Sequence, residues 1–176
     1  MSTDTEASGR MTVAKGRSWW ALDLFVSELA PSGGSGLVVA EAIVPEGASP
    51  PLHVHEDLDD DFYILEGRAV VRCGDRVWVA GAGDWVAFPM GVPHTFRIVG
   101  GPARVLLVHN NDSFMSVIRD LGEPASADTL PTPTGGPGME AVSRAMAAHG
   151  ISVIGPCLEA DEAEALLESL AERERG

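Results

Sequence analysis

Between Thr12 and Asn110 the sequence is a succession of short β-prone runs, each bounded by residues suited to turns. That punctuation reads as a sandwich or barrel rather than as alternating βαβ units, because no helical period intervenes between the runs. The expected strands are Trp20 to Ser27, Gly36 to Val44, Leu52 to His55, Phe62 to Leu65 and Ala69 to Arg72, followed by Arg76 to Val79, Trp85 to Phe88, His94 to Ile98 and Arg104 to His109. Between them lie the Pro/Ser/Gly run from Pro31 to Gly36, then Glu66 with Gly67, Gly74 with Asp75, and Gly81 to Gly83. Most of these residues tolerate the backbone angles of tight turns. The pair Gly74 and Asp75, between two largely apolar or β-branched runs, is the clearest hairpin.

After Asn110 the period changes. Phe114, Val117, Ile118 and Leu121 recur at helical spacing, with Asn111 or Asp112 placed to cap the start and Gly122 to end it. A Pro/Gly/Thr-rich stretch from Pro124 to Gly138 is too poor in large apolar residues to form an element, and reads as a linker or a lid. Met139, Val142 and Met146 then mark a second helix stopped by Gly150, and Ala163, Leu166, Leu167 and Leu170 a third with an acidic opposite face. The third helix is expected to cover the sheets or a partner subunit. The domain reading is a disordered start over 1–11, a β-barrel over 12–111, and a helical C-terminal extension over 112–176 whose 124–138 loop packs on the barrel.

At 176 residues, 45 % of them hydrophobic, the chain has the size and the apolar content of one domain. Its 26 acidic against 12 basic residues leave a net charge of -14, which phosphate backbones and anionic lipid headgroups would repel. Nucleic acid and membrane are therefore not expected partners. The first ten residues contain no apolar run, so a cytoplasmic protein is expected. Cys73 and Cys157 match no metal or redox spacing and are expected to be reduced core thiols.

Chemistry concentrates in two segments. The first, GASPPLHVHEDLDDDFYILEG from Gly47 to Gly67, puts His53 and His55 on one face of a strand with Val54 on the other. On the next strand Asp60, Phe62 and Ile64 share a face, which brings a carboxylate near the imidazoles if that face is the interior one. The second segment, GDWVAFPMGVPHTFRI from Gly83 to Ile98, uses Pro89 and Gly91 for a tight turn that delivers His94 to the start of a strand.

These segments resemble the two signature motifs of the cupin superfamily, GxxxxxHxHxxxxExxxxxxG and GxxxxxPxGxxHxxxN. Gly47, His53, His55 and Gly67 fit the first, and Gly83, Pro89, Gly91 and His94 the second. Two positions depart: Asp60 stands where the family has glutamate, and Ile98 where it has asparagine. The resemblance implies an all-β fold with C-terminal helices, a single jelly-roll-like antiparallel barrel, and a divalent transition metal held inside by His53, His55, His94 and Asp60. Neutral imidazoles with one carboxylate suit Fe, Ni, Mn, Co or Zn rather than Mg or Ca. The run from Phe62 to Gly67, the helix after the last strand, and His149 to Ile151 followed by Gly155 and Pro156 are further similar to actinobacterial single-domain cupins related to quercetin 2,3-dioxygenase, over most of residues 20–158.

That similarity implies a metal-dependent oxygenase of secondary metabolism acting on a small aromatic or enolisable molecule, with Asp60 as general base. A non-redox isomerase or polyketide cyclase and a non-catalytic small-molecule binder share the same pocket and stay open. The plain alternative for the histidines is burial with satisfied hydrogen bonds, against which stands the desolvation cost of three converging imidazoles. Asp60, one methylene shorter than glutamate, either ligates directly or acts through a water. Asp59 and Asp61 are expected to face solvent. Phe62, Ile64, Phe96 and His109 are the expected substrate-pocket residues, and His149 is expected to meet the last carbonyls of its helix. Long β-rich edges suggest a homodimer.

Overall fold

A computed structural model describes residues 16–30, 36–133 and 135–175. The expected disordered start over 1–11 and, apart from Gly36, the turn beginning at Pro31 lie outside the described residues. In chain order the elements are β1 (Ser18–Ala21), β2 (Leu24–Ala30), β3 (Val38–Val44), β4 (Pro51–His55), β5 (Asp60–Glu66), β6 (Arg68–Cys73), β7 (Arg76–Gly81), β8 (Trp85–Val86), β9 (His94–Ile98), β10 (Ala103–His109), α1 (Ser113–Leu121), β11 (Glu123–Pro124), α2 (Met139–Ala148), β12 (Ile151–Cys157) and α3 (Ala160–Arg175).

The strands form two antiparallel sheets. Seven run in the order β11-β1-β2-β3-β10-β5-β8, and five in the order β12-β4-β9-β6-β7. Successive strands from β3 to β6 alternate between the sheets, as do β7 to β10, consistent with a jelly-roll cupin fold. The expected closed barrel is corrected to a two-sheet sandwich, since no ladder among the described residues joins the edges of one sheet to the other. At one edge the reason is local. β8 contributes only two registered pairs, Phe62 with Val86 and Tyr63 with Trp85, before Pro89 removes a backbone donor.

Alternation puts the core between the sheets. In β3 the residues Val38, Ala40, Ala42 and Val44 are buried while those between are not, and Phe62, Ile64, Val71, Ile98 and Val105 meet them in one cluster. Gly67, a motif glycine, turns from β5 to β6 at φ 88°, and a Cβ there would stand 2.7 Å from Ala103 Cα. Both the backbone angle and the space demand glycine.

Several sequence expectations change. The single strand drawn from Trp20 to Ser27 is a hairpin, β1 and β2, joined at Leu22 and Asp23 with φ 55° and 61°. Positive φ at both positions is what a two-residue hairpin turn needs, but no Asn-Gly or Asp-Gly pair announced it. The extension over 112–176 is not wholly helical. β11 pairs with β1, and β12 joins the second sheet with Ile151 opposite His55 and Val153 opposite His53.

Asp112 makes no cap hydrogen bond and instead pairs with Arg119, while Asn111 Oδ1 accepts from Ser113 N at 2.9 Å. Gly122 follows α1 in extended backbone. Its role is close approach, since a Cβ there would meet Ile118 O at 2.6 Å and Ala21 Cβ at 2.9 Å.

α3 covers the second sheet's outer face, where Ala163, Leu166 and Leu167 pack with Val70, Val77 and Val79, and Arg72 pairs with Glu162. Cys73 and Cys157 are free and half-buried; Cys73 packs against the main core cluster. Among the described residues no helix is long and apolar enough to cross a membrane.

Candidate metal centre

Strand register assembles the centre. β4 alternates buried Pro51, His53 and His55 with less buried Leu52 and Val54, so both imidazoles point inward. The β4–β9 ladder sets His94 opposite His53, and the β5–β10 ladder sets His109 opposite Asp60. Two backbone bonds brace the crossing: Asp60 N donates to Phe88 O at 3.0 Å, and Gly91 N donates to His55 O at 2.8 Å.

His53, His55, Asp60 and His94 each offer one ligand atom, and all four atoms lie within 4.8 Å of one another. Two atoms each about 2.1 Å from one ion are at most about 4.2 Å apart, so the cluster needs only a slight contraction to close on a metal. His53 Nδ1 and His94 Nδ1 each lie 2.8 Å from a backbone carbonyl, of Pro51 and Val92 respectively. With Nδ1–H donating there, Nε2 keeps its lone pair, as a metal-binding imidazole requires.

Burial is the largest influence on His53 and pushes its pKa down to about 4, with His94 adding to the effect. The ring is neutral at neutral pH. The buried nitrogens His55 Nδ1, His55 Nε2 and His94 Nε2 have no hydrogen-bond partner. Unpaired polar atoms of this kind carry a desolvation cost that an ion would offset for the two Nε2 atoms. The donor set fits a divalent transition metal.

Asp60 is the hub. Its Oδ2 stands 3.5 Å from His55 Nε2 and 3.6 Å from His94 Nε2, and its Oδ1 stands 2.7 Å from His109 Nε2. The His109 contact is at ion-pair distance but off the line of a hydrogen bond. Burial would raise the Asp60 pKa, but His109, then His55 and His94, hold it well below the usual carboxylate range.

A cavity of about 470 Å³ opens from the centre, with His53, His55, Asp60, Phe62 and Phe96 at its inner end. Of the four expected pocket residues, Phe62 and Phe96 line it and two do not. Ile64, only 1 % exposed, is packed in the core because its side chain lies one pleat further along β5. His109, equally buried, sits behind Asp60 as its partner rather than at the mouth.

Sequence reasoning missed Phe88, whose ring stacks on His94 with centroids 4.2 Å apart and planes 8° from parallel. It also took Asp59 and Asp61 for solvated acids. Asp59 Oδ1 accepts from Met90 N at 2.9 Å, and Asp61 Oδ1 from Phe88 N at 3.2 Å, so both carboxylates tie down the loop that delivers His94. His149 meets its own helix end as expected, through its backbone N–H, which donates to Met146 O at 3.0 Å, while its ring Nε2 lies 2.7 Å from Asp120 Oδ2 and links α2 to α1.

Residues 40–109 match the family model described as Cupin domain. Over 69 residues the chain is 35 % identical to the uncharacterized protein MJ1618 of Methanocaldococcus jannaschii, covering 39 % of this chain and 55 % of that protein. Over 79 residues it is 24 % identical to quercetin 2,3-dioxygenase of Bacillus subtilis, covering 45 % of this chain and 23 % of the enzyme. The chain thus spans about half the length of the first curated relative and under a quarter of the second. Among solved structures, the polyketide cyclase RemF of Streptomyces resistomycificus is 26 % identical with a TM-score of 0.47, covering 57 % of this chain and 77 % of that one. Motif spacing, the convergence of three imidazoles from β4 and β9, and the family model agree in likening residues 40–109 of this chain to a cupin domain.

Proposed function

We propose that this protein is a metal-dependent oxygenase of the quercetinase-like kind, acting on a small aromatic or enolisable molecule. The observation that carries the reading is a four-residue ligand cluster, with an ionised carboxylate at its centre, three of whose members line a largely apolar cavity. A divalent transition metal held by His53, His55, His94 and Asp60 supplies Lewis acidity toward a substrate oxygen and access to dioxygen.

The chain's own residues do the rest. Backbone carbonyls of Pro51 and Val92 fix the His53 and His94 rings, so the site is preorganised rather than assembled on binding. His109 occupies Oδ1 of Asp60, leaving Oδ2 turned toward the centre. From there Asp60, ligating weakly or not at all while the three imidazoles hold the metal, takes the hydroxyl or α-carbon proton of the bound molecule as general base. The T-shaped pairs of Phe62 with Phe88 and Phe96, both with centroids 5.6 Å apart, give the inner wall a rigid aromatic surface. That surface keeps water from the deprotonated substrate.

One observation favours a second reading. A largely buried carboxylate beside electrophilic assistance is also the pair that enolisation without oxygen uses, which is the work of an isomerase or cyclase. Elemental analysis of the purified protein, followed by oxygen uptake with a panel of flavonols and β-diketones, separates the two. Uptake in step with product is expected. Equal turnover with oxygen removed would replace the oxygenase reading by the second, and saturable binding with no product in either atmosphere would leave a binding protein.

A further inference from the structure

The cavity does not end at the aromatic wall. One side of it is built by residues beyond the cupin segment: Phe114 and Val117 of α1, and Met139, Val142 and Met146 of α2. The β1–β2 turn lines the same side through Leu22 and Asp23, and Leu22 packs against the helices there.

The two helices are held in place. Val117, Val142, Met146 and Ile151 form their own apolar cluster, and the His149–Asp120 contact ties α2 to α1. At the rim, Met139 is 53 % exposed and begins α2 directly after the Pro/Gly-rich stretch. Methionine at such a position adapts to ligands of different outline.

The charges are one-sided. Apart from the metal centre itself, Asp23 and Glu46 are acidic, and no arginine or lysine is present among the described lining residues. An anionic ligand entering there would lose its hydration, meet like charge, and find no cationic side chain. An uncharged apolar group loses nothing and removes its own surface from water.

We infer that α1 and α2 form a distal subsite for the uncharged hydrophobic portion of the substrate, and that this subsite refuses carboxylates, phosphates and sulfonates. Val142 and Met146 set the length it accepts. The inference rests on the proposed reading for where the reacting end of the substrate lies, but the subsite's selectivity is independent of the metal.

The test uses two dyes with one ring system, neutral N-phenylnaphthylamine and anionic anilinonaphthalenesulfonate, titrated by fluorescence against the full-length protein. The neutral dye is expected to bind saturably at one site, and the sulfonate at least about tenfold more weakly. Val142→Trp, checked for folding by circular dichroism, should lower neutral-dye affinity about tenfold by filling the chamber, with metal content unchanged. If that variant does not fold, Met146→Phe is the milder replacement, with a smaller loss of the same sign. Equal or tighter sulfonate binding, no saturation by the neutral dye, or unchanged affinity in a folded, filled variant would overturn the inference.

His53→Ala keeps the two ideas apart. Neutral-dye binding that survives in this metal-depleted protein supports the subsite on its own, whatever the metal proves to do. Dye binding lost together with the metal would overturn the claim of independence.

Discussion

The two ends of the cavity are built differently. At the inner end, His53, His55, Asp60 and His94 all stand on strands, and neighbouring strands or backbone carbonyls fix their positions. On the helical side, Met139, Val142 and Met146 stand on a helix that a Pro/Gly-rich stretch precedes, held by apolar packing and the single His149–Asp120 contact rather than by strand register. Ladder register holds an atom to fractions of an ångström, whereas methionine packing holds only a volume. On the proposed reading, chemistry is therefore placed on the sheets and selectivity on the helices. A change at the inner end should abolish a property, and a change at the outer end should retune one.

The largest effect is expected from His53→Ala or His94→Ala. Each should strip the metal, measured by elemental analysis, and leave a folded sandwich by circular dichroism; unaltered metal content in either would remove the inner end from the comparison. Next comes His109→Ala. With no partner on Oδ1, Asp60 is free to rotate from the centre, and metal affinity by competitive chelation should fall about 10- to 100-fold, as for other groups that orient ligands. An unchanged affinity would make His109 a bystander.

Gly67→Ala tests the scaffold that both ends share. Left-handed backbone and a Cβ 2.7 Å from Ala103 Cα predict a loss of about 1 to 3 kcal/mol, read by denaturant melts. Asp60→Glu should tighten metal binding severalfold if reach limits the carboxylate. No gain would assign Asp60 to proton transfer alone. The smallest effect is expected from Val142→Ala, which lengthens the outer chamber. It should shift preference toward longer apolar ligands by a few-fold, at a cost of about 1 kcal/mol in stability, and leave metal affinity alone.

Strands β3 to β10 were legible within a residue or two at most boundaries, because alternation and Gly/Pro punctuation mark them directly. The same holds for the histidine pair, since period two on one strand needs no knowledge of the rest of the fold. What sequence did not reveal depends on contacts between distant segments. His109 became the partner of Asp60 only when β10 paired with β5, forty-nine residues apart at that rung. Asp59 and Asp61 alternate like solvent-facing acids, and only the folded loop around Phe88 and Met90 brings backbone donors to them. β12 was hidden by its composition: Gly155 and Pro156 read as turn chemistry, yet the ladder tolerates them between Val153 and Cys157, where its register is interrupted.

That last strand has a practical bearing on any attempt to shorten the protein. Ile151, Ser152 and Val153 zip directly onto His55, Val54 and His53. Trimming the chain back to the cupin segment would unzip one flank of the rung that carries two imidazoles and bare its amides to solvent. A minimal version of this protein must keep its late-sequence edge strand, or be given another in its place.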